Sequence, residues 1–371
     1  MRPNRREMPM RRTLPSLIFA AALATGPALA QERVVNVYNW NDYIAEDAAK
    51  NFQQVTGIKV NYTTYDGNEI LDAKLKAGGG YDVVTPTASP FFVRQLAAGL
   101  YLKLDKAKLK NYGNLDPEVM KALAKYDPNN EHGIPWMWGT TGIGFNVEAI
   151  KKRMPDAPTD SLKMIFDPAV VSKFKDCGVM LMDSPTDVLP AALLYLGLDP
   201  DSKAPADLEK ARDVVMKVRP NVRKIHTGEI IDALANGDVC VAFGYSGDIL
   251  QARDRGAKAA KKQVIEYAIP REGAQLWLDV LAIPKSAKHV DNAHRWLDYM
   301  LEPKVAAESS NLTGYANANR LAPPLMNKAV SESPLIYPPR EVRAKFYTIS
   351  AGDADHTRLR TRAWTMIKTG R

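Results

Sequence analysis

Cysteine is scarce in this chain: Cys177 and Cys240 are the only two in 371 residues, and they do not form a CxxC. That spacing excludes thiol exchange chemistry and cysteine-built zinc knuckles. No apolar run reaches the roughly 20 residues that span a bilayer as a helix. There is no phosphate loop, and the GIG at 142–144 lacks the third glycine of a dinucleotide fingerprint, so nucleotide binding has no support. In GYSGD at 244–248 a glycine follows Ser246 directly, which departs from the GxSxG elbow of serine hydrolases. The five histidines (His132, His226, His289, His294 and His356) form no HExxH and no i, i+4 pair, so neither a metal nor a catalytic site is expected.

What is present begins with an export pattern. Arg2, Arg5, Arg6, Arg11 and Arg12 precede a short apolar run at 17–24, and the small residues ALA follow at 28–30. This is the three-part signature of a secretory signal peptide, with cleavage expected near Ala30 and the mature chain starting near Gln31. Removing residues 1–30 takes away five Arg and one Glu, so the net charge falls from +8 to +4. A balance that small, with no dense Lys/Arg stripe, argues against nucleic acid or an anionic membrane as a partner. In an exported protein a Cys177–Cys240 bridge is favoured, although spacing alone leaves two buried thiols open.

The hydrophobic pattern alternates strand and helix. Strands are expected at 34–38, 58–62 and 82–85, separated by helices at 46–55, 69–77 and 91–98. The style repeats with strands at 142–145, 178–182 and 239–243 and helices at 188–196, 207–217 and 248–260. This reads as α/β: two lobes, each a doubly wound, mainly parallel sheet. Extended stretches at 135–138 and 269–273 bracket the second unit and are expected to be two crossover strands forming a hinge. The expected division is 31–137 plus about 272–315 for lobe 1, and about 138–271 plus 316–371 for lobe 2.

In such sheets ligands sit beyond the carboxyl ends of the strands. Those ends carry Trp40, Asn41, Asp42 and Tyr43; Thr87; Asp187; Tyr245 and Asp248; and, after the second crossover, Trp277 and Asp279. Carboxylates beside aromatic rings suit an organic cation, because the acids take the ammonium hydrogen bonds while ring faces attract the charge and cover the methylenes. An extended four-carbon diamine holds its nitrogens about 6 Å apart, so two separated acidic groups select length as well as charge. Taken singly, each Asp also reads as a helix cap and each ring as core.

Several motifs together resemble one family: WNDYI at 40–44, RQLAAG at 94–99, WGTTGIGFN at 138–146, LANGD at 234–238, YANAN at 315–319, IYPP at 336–339 and RTRAW at 360–364. They resemble the periplasmic polyamine-binding proteins of ABC importers, most of all the putrescine receptors, across essentially the whole mature chain. The resemblance implies a type II periplasmic binding protein that captures a polyamine and delivers it to an inner-membrane permease, as a monomer without cofactor. It implies that Trp40 and Tyr315 sandwich the alkyl chain with Trp277, and that Asp42 and Asp279 hold one ammonium while Asp187 and Asp248 hold the other. Asn41 and Thr87 would add neutral hydrogen bonds, Tyr245 would complete the box, and the matching cysteines are bonded.

Four positions depart from the putrescine-type pattern: Tyr245 stands where it has Trp, Asp187 where it has Glu, Thr87 where it has Ser, and Trp277 where it has Phe. Trp at 277 resembles spermidine-binding relatives, whereas Asp248 resembles the putrescine type. Because a buried charge is costly to misplace, the acid outweighs the ring, and putrescine is expected ahead of spermidine, with cadaverine and agmatine open. Two other readings stand beside this one, the first keeping the fold and the second from another class. One is a sensory receptor for a membrane signalling protein, and the other a periplasmic hydrolase or amine-modifying enzyme using the carboxylates as acid and base.

Overall fold

The computed structural model describes Met1 and residues 33–371, so the export segment and its cleavage site lie outside the described residues. Ten strands form the frame: β1 (Val34–Trp40), β2 (Lys59–Tyr65), β3 (Val83–Val84), β4 (Gly133–Asn146), β5 (Val179–Leu181), β6 (Lys224–Ile225), β7 (Val241–Tyr245), β8 (Ile265–Ala268), β9 (Leu276–Ala282) and β10 (Ala316–Asn317). Their order is β2-β1-β3-β9-β4-β7-β5-β6, with β8 and β10 also paired to β4.

The parallel arrangement expected from βαβ spacing is present twice, as β2-β1-β3 and as β6-β5-β7. The strands β9, β4 and β8 add antiparallel pairs between and beside these trios. Helices pack where the apolar period predicts them. The first, Ala48–Thr56, buries Ala48 and Phe52 and stops at Gly57, whose φ of 68° ends the helix in the left-handed conformation.

Two hydrophobic cores correspond to two lobes. One gathers β1, β3 and β9 around Phe52, Trp136, Trp296 and Leu297. The other gathers β5 and β7 around Phe166, Phe174, Val215 and Ile249, and the last helix, Ala354–Thr369, docks on it through Trp364 and Ile367. The Cys177–Cys240 disulfide lies in the second core, with Cα atoms 5.5 Å apart.

The stretch at 135–138 is part of a single long strand rather than a bare connection. β4 pairs with β9 from Gly133 to Thr140 and with β7 from Thr141 onward, so one strand serves both lobes and changes partner at Thr140/Thr141. The loop after β8 leads back into β9, which supplies the second crossing. The carboxyl ends of β1, β3, β5 and β7 all face the gap between the cores, and this places the loops that follow them around one cleft.

Candidate functional site

A cavity lies in that cleft. Ten of the eleven expected ligand residues line it: Trp40, Asn41, Tyr43, Thr87, Asp187, Tyr245, Asp248, Trp277, Asp279 and Tyr315. Asp42 is the exception. Its backbone turns through a φ of 51°, and its exposed carboxylate faces outward to Arg255, 2.6 Å away.

The aromatic residues form a continuous wall. Tyr43 and Tyr315 rings lie 5.4 Å apart, Tyr315 and Trp277 5.1 Å, Trp277 and Tyr245 5.4 Å, and Tyr245 and Trp40 6.1 Å, each pair meeting edge to face. In an edge-to-face pair one ring keeps its electron-rich faces clear of its partner, and such faces attract a cation. Trp40 is fixed by its indole N–H, which donates to the Thr85 carbonyl at 2.9 Å. Trp277 lies flat on β4 because Gly139 beneath it has no side chain; a Cβ there would come within 2.7 Å of the indole.

Three carboxylates are set into this wall, each oriented by hydroxyl donors. Asp279, 3 % exposed, accepts from Tyr43 at 2.7 Å on one oxygen and from Thr87 at 2.7 Å on the other. Asn68 in turn donates to the Thr87 hydroxyl, which fixes it as a donor to the acid. Asp187, 4 % exposed, sits in the first turn of helix Pro185–Tyr195. It accepts from Thr141 at 2.9 Å, Ser184 at 2.5 Å and Tyr245 at 3.4 Å. Asp248 opens helix Ser246–Lys258. It accepts from Tyr315 at 2.5 Å while its own backbone N–H donates to the same hydroxyl at 3.2 Å.

Among the described residues, no Lys or Arg forms an ion pair with Asp187, Asp248 or Asp279, although exposed acids elsewhere do pair with such cations. Burial pushes Asp279 up to about 7, helped by the charge of Asp187 and opposed by the Thr87 and Tyr43 hydrogen bonds. Burial pushes Asp248 up to about 7 as well, opposed by Tyr315. Asp187 is raised by burial against its three hydroxyl donors. The phenols of Tyr43, Tyr245 and Tyr315 are raised well above their usual range by burial and adjacent acid, so they stay neutral donors. The cavity is therefore short of positive charge and supplied with ring faces, which fits a compact organic cation.

Sequence reasoning missed several residues of the site. Thr141, Ser184 and Asn68 orient the acids, and Gln275, Asp66 and Thr227 line the cavity. Neutral polar residues carry no periodic or motif signal. Asp66 just past β2, Ser184 past β5 and Thr227 past β6 follow the same strand-end rule that found the others.

Comparison with known proteins gives a consistent outcome. The family model for bacterial extracellular solute-binding proteins matches residues 47–337. The chain is 46 % identical over 362 residues to the putrescine-binding periplasmic protein SpuD of Pseudomonas aeruginosa, covering 97 % of this chain and 98 % of that protein. It is also 46 % identical over 353 residues to the putrescine-binding periplasmic protein PotF of Escherichia coli, covering 94 % and 95 %. Among solved structures, the spermidine/putrescine ABC transporter substrate-binding protein PotD from Streptococcus pneumoniae superposes with a TM-score of 0.71 at 28 % identity, covering 91 % of this chain and 99 % of that one.

Proposed function

The chain belongs to the bacterial extracellular solute-binding proteins, and from that premise we propose that it captures a polyamine, putrescine first and spermidine second, between its lobes. It is a receptor and not an enzyme, as its family and its 46 % identical relatives are. The observation that carries the ligand class is the trio Asp187, Asp248 and Asp279, set in an aromatic wall without a cation of the protein's own. A buried acid without a partner is costly, and a dication bound between two such acids relieves that cost at both ends.

In this reading Asp279 takes one ammonium of the ligand, and Asp187 and Asp248 take the other. Trp40, Trp277 and Tyr315 cover the methylenes, Tyr43 and Tyr245 orient acids as well as closing the box, and Asn41 and Thr87 add neutral polar contacts. Asp42, which pairs with Arg255 outside the cavity, acts on closure rather than on the ligand. Lobe 1 comprises 31–137 plus about 272–315 and lobe 2 the remainder of the mature chain, exported to the periplasm after cleavage near Ala30. The receptor works as a monomer and hands its cargo to an inner-membrane ABC permease. Closure follows from population shift, because the ligand touches both lobes only when they are together.

The test is calorimetric titration of protein stripped of co-purified amine with putrescine, spermidine, cadaverine and agmatine. Tightest binding of putrescine is the expected result. Failure to bind any of the four would overturn the polyamine assignment, and a tighter spermidine would reverse the order.

A further inference from the structure

The three carboxylates are not equally free to receive a ligand. A carboxylate has about four lone-pair positions. Asp187 has already committed three of them, one to Thr141 and two to Ser184 and Tyr245. Asp279 has committed two and Asp248 one. A primary ammonium carries three N–H donors; at the end shared with Asp248, Asp187 itself has room for only one of them.

A neutral acceptor stands beside that end. Gln275 is 4 % exposed, lines the cavity, and its Oε1 is buried without a hydrogen-bond partner. It begins the run Gln275, Trp277, Asp279, alternate residues along β9 and its leading edge, which project to one face of the strand. Its place near Asp187 is set by Thr141, whose backbone N–H donates to the Gln275 carbonyl at 3.1 Å while its hydroxyl donates to Asp187. A buried amide oxygen left without a partner is unfavourable, and none of the described residues satisfies the Oε1 of Gln275.

Resting on the polyamine reading above, we infer that Gln275 is a ligand-binding, specificity-determining residue whose carboxamide oxygen accepts an N–H from the ligand's ammonium at the Asp187 end. A carboxamide adds an acceptor without adding charge, so it adds to the hydrogen bonding of the ammonium without introducing a further acid into the cavity. It favours ends with several N–H donors, primary ammonium or guanidinium, over N-alkylated ends that one lone pair of Asp187 already satisfies.

The experiment titrates putrescine into the full mature protein, Gln275→Met and Gln275→Glu. Met matches the length of Gln but has no acceptor, and Glu keeps the acceptor. Loss of a hydrogen bond to a charged group predicts that Q275M binds about tenfold or more weakly, while Q275E recovers the parent affinity or exceeds it. Since Oε1 has no partner among the described residues, Q275M should melt no lower than the parent when ligand-free. Unchanged affinity in Q275M, or equal losses in Q275M and Q275E, overturns the inference. Failure of the parent to bind putrescine overturns the polyamine reading instead, and so separates the two.

Discussion

Asp42 and Arg255, which follow β1 of one lobe and lie on a helix of the other, meet across the mouth of the cleft with carboxylate and guanidinium 2.6 Å apart. Arg255 is also held by Asp232 at 3.1 Å, so the guanidinium keeps a partner when the cleft opens. Both Asp42 and Arg255 are about 40 % exposed, at 40 % and 43 %. Exposed pairs of this kind contribute only about 0.2 to 1 kcal/mol. Asp42→Asn should therefore weaken putrescine binding less than about fivefold, mostly through faster dissociation. Stopped-flow tryptophan fluorescence would measure this. A loss above about thirtyfold would instead return Asp42 to the ligand, as the family resemblance implies.

Gly247 is placed where any side chain is excluded. A Cβ there would sit 2.5 Å from the Thr313 carbonyl oxygen and 2.5 Å from the Tyr315 ring. The carbonyl belongs to the backbone and cannot swing aside, so Gly247→Ala must move either the start of helix Ser246–Lys258 or Tyr315. Both carry the Asp248–Tyr315 hydrogen bond. Overpacking of this type costs about 1 to 3 kcal/mol of stability. Thermal melting should fall and putrescine affinity should fall with it; a variant that melts and binds like the parent would contradict the packing described here.

Much of this site is legible in the sequence because the chemistry follows the strands. Trp40, Thr87, Asp187, Tyr245 and Asp248 stand at or within six residues of strand ends that short apolar runs locate, and in a parallel sheet those ends converge. Trp277, Asp279 and Tyr315 drew meaning from the family resemblance as much as from position. The direction of Asp42 was not legible, since a φ of 51° at a non-glycine residue is a backbone event that no pattern announces. β6 was not legible because Lys224 and Ile225 are only half-buried and form no apolar run, unlike the equally short but fully buried β3. The role of Thr141 was hidden because the site lies where β4 changes partner, inside a strand fourteen residues long and buried nearly throughout. Gln275 was invisible for a simpler reason: a single neutral amide has no signature until its lack of partners is seen.

Asp279→Asn should separate binding from folding. The amide oxygen can still accept from one of the two hydroxyls, Tyr43 or Thr87, while the amide NH2 faces the other, so the side chain keeps its volume and one of its two hydrogen bonds while the charge is removed. Putrescine binding is expected to weaken by at least about 2 kcal/mol, roughly thirtyfold, because one ammonium loses its buried counter-charge. The ligand-free variant should melt higher than the parent at pH 8, where the parent must keep an unpaired carboxylate ionised in a buried place. That gain should shrink toward pH 4, where the parent's acid is protonated in the folded state. Calorimetric titration and melting curves at both pH values test this, and parent-like affinity would remove Asp279 from the site.

The same acids make binding depend on pH in a direction that can be worked out. Asp248 and Asp279 are raised to about 7 by burial, whereas exposed Asp titrates near 3.9. Between about pH 4 and 7 the ligand-free folded state holds protons that the unfolded chain has released, so its stability falls as pH rises through this window and levels off above it. A dication favours the ionised acids and lowers both values, so its binding must expel those protons. Putrescine affinity should therefore rise from pH 5.5 to 8, then stay level while both ammonium groups, with ordinary values near 10, remain charged. Titrations at pH 6 in buffers of different ionisation enthalpy should reveal release of one to two protons per ligand. Proton uptake, or an affinity that does not change across this range, would mean that these carboxylates are already ionised before the ligand arrives.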